Sequence, residues 1–110
     1  MSNTFNIKRN DTKPYLAVQI KSNTGSNVDI SNGSVFFNLA TSDNNYTIVF
    51  SGTCNITGST TWECEYRWAS GNTNRSGNYL GEFEVVYNDG AILTAPSDHS
   101  LYIKIFEDYA

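Results

Sequence analysis

The stretch from Gly77 to Pro96, GNYLGEFEVVYNDGAILTAP, limits what this chain can fold into more than any other. Along an extended backbone Tyr79, Gly81, Phe83, Val85 and Tyr87 share one face, and Asn78, Leu80, Glu82, Glu84 and Val86 share the other. A two-residue period with carboxylates on one side belongs to a half-buried strand and not to a helix. Asn88-Asp89-Gly90 follows at once. Asp-Gly between extended runs marks a hairpin, because glycine tolerates the positive φ of the turn. Ala91 to Ala95 returns, and Pro96, with no N–H to give a ladder, ends the strand. A two-stranded ribbon is not stable alone, so the rest of the chain must cover its aromatic face.

Shorter alternating runs on either side can supply that cover. They are Phe5–Arg9, Tyr15–Lys21, a brief Val28–Ile30, Val35–Leu39, Tyr46–Ile56, Trp62–Trp68 and a last strand with Leu101, Ile103 and Ile105 on one face. Turn-forming residues separate them, and no long window keeps a helical apolar period. The pattern predicts an all-β domain spanning residues 1–110, a sandwich of two antiparallel sheets with about seven to eight strands. The polar segment Ala69–Ser76 is the expected crossover between sheets. Folding Tyr46–Ile56 onto Trp62–Trp68 pairs Ile56 with Trp62, Cys54 with Cys64, Gly52 with Tyr66 and Phe50 with Trp68. Registers shifted by two residues keep the same parity and stay open.

The net charge of −4 and a single adjacent basic pair, Lys8-Arg9, exclude the clustered cations of a nucleic-acid partner. No apolar run approaches the ~20 residues of a membrane span. The first residues, MSNTFNIKRN, show no apolar signal core, so synthesis in the cytoplasm is expected. That compartment keeps thiols reduced, and Cys54 and Cys64 are read as buried small hydrophobes, with a disulfide between them still open.

No catalytic, cofactor-binding or metal-binding residue is expected. His99 is the only histidine and lies between Asp98 and Ser100 in a polar loop, which reads as surface. Glu63/Glu65 and Glu82/Glu84 stand at alternate positions of two strands, as solvated carboxylates do. If both strands belonged to one sheet, the four acids would form a patch favouring a basic partner. Asp29, Asp43 and Asp89 occupy separate turns, where aspartate caps its own backbone. Ser76-Gly77-Asn78-Tyr79 resembles a tyrosine corner, whose hydroxyl bonds back to the backbone upstream.

FNIKRNDTKPYLAVQIK at the start, SGNYLGEFEVVYNDGAILTAP later and SLYIKIFED near the end occur in an order that resembles the immunoglobulin-like N-terminal domain of bacteriophage upper-baseplate proteins. The resemblance implies an immunoglobulin-like sandwich and a non-enzymatic virion component of the tail or baseplate. Its partners would be other virion proteins, tail, baseplate or major capsid protein, and it would be present in several copies per particle. Upper-baseplate proteins continue into a receptor-binding module, whereas this sequence stops at Ala110, so no adhesin comes with the resemblance. Capsid decoration and a head–tail neck position are alternatives in the same class. A carbohydrate-binding module using Trp62, Trp68 or Tyr102 as a platform is the alternative from another class. The expected contact residues are Phe5, Ile7, Lys8 and Arg9 on the first strand, adding to a neighbour's sheet edge, with Glu63 and Glu65 of another copy facing the basic pair.

Overall fold

The computed structural model describes residues 3–21, 26, 28–42, 46–58, 62–96 and 101–107. Among these the chain forms β1 (Asn3–Lys8), β2 (Leu16–Gln19), β3 (Gly33–Thr41), β4 (Ile48–Thr53), β5 (Asn55–Ile56), β6 (Glu63–Tyr66), β7 (Gly77–Tyr87), β8 (Ile92–Ala95) and β9 (Leu101–Phe106). The chain is all-β, two sheets packed as a sandwich, with nine strands where seven to eight were expected.

The long alternating stretch is the centre of the larger sheet, whose order is β1-β9-β7-β3-β4. One side of β7 pairs with the whole of β3, from Gly33↔Tyr87 to Thr41↔Tyr79. Its other side is shared end to end, Gly77–Gly81 by β9 and Phe83–Val86 by β8. The turn forms as predicted, with Gly90 at φ 91 and the Asp89 carboxylate accepting from the Ala91 N–H at 2.9 Å. The smaller sheet, β2-β6-β5, lies across the core.

Inward residues of the two sheets interlock around Phe37, which is fully buried. Its ring centroid lies 5.0 Å from Tyr66, 5.2 Å from Phe83 and 5.7 Å from Trp68. Each such ring pair adds roughly 0.5–1.5 kcal/mol beyond the area it buries. Trp68 also donates its Nε1–H to the carbonyl of Pro14 at 3.1 Å, so its polar edge is satisfied inside the sandwich.

The crossover at 69–76 connects the smaller sheet to the larger, as its polarity predicts, and is held from both ends. Asn72 Oδ1 accepts from Tyr66 Oη at 2.6 Å and from the Ala69 N–H at 2.7 Å. Buried Thr73 donates to the carbonyl of Asp11 at 2.8 Å. The Tyr79 hydroxyl donates to the carbonyl of Arg75 at 3.1 Å, which is the upstream bond of a tyrosine corner.

Three expectations need correction. The sheets are not wholly antiparallel, because β1 runs parallel to β9 from Asn3↔Leu101 to Lys8↔Phe106. Tyr46–Ile56 is not one strand of one sheet. It breaks at Cys54, pairing with β3 before the break and with β6 after it. The β5–β6 register is shifted by two residues, with Ile56 opposite Cys64 and not Trp62. Gly52 still meets Tyr66, but across the core and not along a hairpin: a Cβ on Gly52 would lie 2.5 Å from Tyr66 Cε1. The short piece Val28–Ile30 packs back as expected, with the Val28 N–H donating to the Ile20 carbonyl at 3.1 Å. Its Ile30 is fully buried and Asp29 caps the turn, accepting from the Ser31 N–H at 2.9 Å.

Candidate functional site

The expected contact residues are spread over the two sheets. Ile7 is buried in the core, and Phe5 stacks on Trp68 with centroids 5.9 Å apart. Lys8 is exposed. Arg9 is already engaged, donating to Glu107 Oε1 at 2.6 Å and to the carbonyl of Asn74 at 3.0 Å. β1 stands last in the larger sheet, with β9 on one side. Glu63 and Glu65 belong to β6 in the smaller sheet, and Glu65 accepts from Arg67 Nε at 2.6 Å. Glu82 and Glu84 lie on β7 in the larger sheet, so the four acids make no common patch. Trp68 is core and cannot serve as a sugar platform; Trp62 is half-buried and Tyr102 exposed. His99, Asp98, Ser100 and Asp43 fall outside the described residues.

The feature that alternation missed is Leu80. It stands on the outer face of β7, between Asn78 and Glu82, where a solvated residue is expected. Yet it is only 7% exposed and takes no part in the core cluster. Register explains its neighbours: Leu80 is opposite Tyr102 on one side and Ala40 on the other, and Ala40 is opposite Ile48. An apolar row thus crosses four strands of the outer face. Ala40, Tyr46, Ile48, Leu80, Gly81 and Glu82 line a shallow recess of about 130 Å³ there. Tyr46 and Ile48 at its mouth are half exposed.

The polar rim is ordered. Ser51 Oγ donates to Asn38 Oδ1 at 2.7 Å, and Asn38 Nδ2 donates to Glu82 Oε1 at 3.3 Å, which aligns the carboxylate beside the recess. Tyr46 is held with φ 46, in the left-handed region that a bulky L-residue seldom adopts. Thr41 and Thr47 clamp the segment that follows it: the Thr41 N–H donates to the Thr47 carbonyl at 2.9 Å, and the Thr47 N–H to Thr41 Oγ1 at 2.9 Å. Backbone strain of this kind gathers at binding surfaces. A leucine on the carboxylate-bearing face of β7 was the one signal in the sequence.

Among the described residues no group of three or more His, Cys, Asp or Glu is placed to hold a metal ion. No family model matches the chain, and no curated protein sequence matches it. The structure is similar to the crystal structure of CopC from Methylosinus trichosporium OB3b, with a TM-score of 0.53 at 12% identity over 99% of this chain and 89% of that one. This likeness is one of fold alone. The solved structure that the chain resembles is CopC and not a phage component, which corrects the expectation of a virion structural protein located on the particle.

Proposed function

We propose that this chain is a non-enzymatic, immunoglobulin-like binding module whose contact surface is the outer face of the larger sheet. The observation that carries the reading is the recess floored by Leu80, an apolar site built on the side of the sheet away from the core. Small-molecule sites usually enclose ~300–1,000 Å³ and cover most of the ligand. A recess of about 130 Å³ is closer to the size of one inserted side chain. Its chemistry selects an apolar side chain from a protein partner, with a basic residue beside it to meet Glu82. Glu84, two residues on along the same outer face, extends that acidic rim. Fully burying one such side chain contributes about 1.5–3 kcal/mol, enough to anchor a contact though not to make it tight alone.

The test is a random-peptide selection on the immobilised full chain, followed by calorimetric titration of the winners. The expected binders carry an apolar residue next to Lys or Arg. Ile48→Asp should weaken them at least tenfold, and Glu82→Lys should weaken those with the basic residue. Binders indifferent to both substitutions would refute the reading.

A further inference from the structure

Cys54 and Cys64 arrive at one point from different sheets. The Cys54 N–H donates to the carbonyl of Val35 at 2.8 Å, which continues the β3–β4 ladder of the larger sheet. Cys64 lies in β6 of the smaller sheet, opposite Val18. Both are free and buried, with exposures of 8% and 1%, and Cys54 stands two residues before Ile56, whose partner across β5–β6 is Cys64, so the two share one inward face. We propose that this pair is a dithiol that closes to an intersheet disulfide by exchange with a small-molecule disulfide.

The two thiols differ in acidity. Hydrogen bonding between them pulls the Cys64 thiol below its usual range and, together with burial, pushes Cys54 up. Cys64 therefore holds the first negative charge, and the thiolate is the nucleophile in such exchange. Its sulfur attacks one sulfur of the reagent and a small thiolate leaves. Cys54 gives its proton to that thiolate and attacks the Cys64 sulfur, expelling the second small thiolate. One S–S bond breaks in the reagent and one forms in the protein, and two electrons and two protons leave in two small thiols. Access comes through β5, a two-residue edge strand with Asn55 and Ile56 exposed, which is the kind of element that opens locally.

Treating the full chain with oxidised glutathione tests this by intact mass, peptide mapping and thermal melting. The expected product is a monomer lighter by two hydrogens, with the Cys54 and Cys64 peptides joined and the melting midpoint raised by roughly 10 °C. Dithiothreitol should reverse both changes. Cys54→Ser and Cys64→Ser should each stop at one glutathione adduct, with alanine replacing serine if a variant does not fold. A doubly glutathionylated chain, a disulfide-linked dimer, or two thiols that stay unreacted until the chain is unfolded would overturn the proposal.

Discussion

Replacing Gly52 with alanine tests a close approach between the sheets. The new methyl carbon would sit 2.5 Å from Tyr66 Cε1 and 2.7 Å from its hydroxyl oxygen, closer than real contacts allow. The ring has little room to yield. Phe37 and Trp68 flank it at 5.0 and 5.3 Å, Phe50 stacks at 5.8 Å, and the hydroxyl is tied to Asn72 at 2.6 Å. Overpacking of this kind costs about 1–3 kcal/mol, and a displaced Tyr66–Asn72 bond adds about 1 kcal/mol. Against this, Gly→Ala lowers the entropy of the unfolded chain by an equivalent of about 0.4–1 kcal/mol. The net is a loss of about 2 kcal/mol, or roughly 10 °C in the melting midpoint of a domain this size. Urea unfolding followed by tryptophan fluorescence gives the free energy directly. In a Tyr66→Leu background the clash is gone, so Gly52→Ala should be neutral there. A neutral Gly52→Ala in the native background, or the same cost in both, would refute the argument.

Tyr79→Phe should cost about 1 kcal/mol in the same assay, since it removes only the bond to the Arg75 carbonyl. Glu107→Gln should change stability by less than about 1 kcal/mol, and the change should shrink with added salt, because the Arg9–Glu107 pair is nearly half exposed on each side. Burial raises Tyr66 above the usual tyrosine value of 10.0. The unfolded chain then loses this proton first, so the contribution is complete below pH 10 and declines as pH climbs toward the folded value. Urea midpoints between about pH 9 and 11.5 should fall less steeply in Tyr66→Phe than in the native chain.

Residues whose partners are close in sequence declared themselves. The β7–β8 ribbon was legible because alternation, Asp-Gly and Pro96 all act within one hairpin. Trp68 was legible as core because it shares a face with Cys64 and Tyr66. The break at Cys54 was not, since the inward row of Phe50, Gly52 and Cys54 keeps its period while the hydrogen-bond partner changes from β3 to β6. Periodicity reports which way a side chain points and says nothing of which strand lies alongside. The parallel β1–β9 pair joins residues nearly a whole chain apart, beyond any local signal. Leu80 reads as solvated for the opposite reason: alternation assigns its face correctly, but its burial comes from Tyr102, Ala40 and Ile48 on three other strands.

The parallel pairing of β1 with β9 also sets how the molecule carries tension. Each of the six residues of β1 lies beside a partner in β9, and the Arg9 N–H adds a bond to the Phe106 carbonyl at 2.7 Å. Because the two strands run the same way, Asn3 stands at one end of the ladder and Phe106 at the other. A pull that draws these two residues apart slides one strand along the other, so the rungs are loaded together and must give way in concert. An antiparallel pair pulled from its open end would unzip one rung at a time. Under force the lifetime of a folded state is set by its unfolding barrier, and shear places that barrier at the rupture of the whole ladder. The last strand thus clamps the first, and the sandwich is braced along the direction in which its own chain enters and leaves.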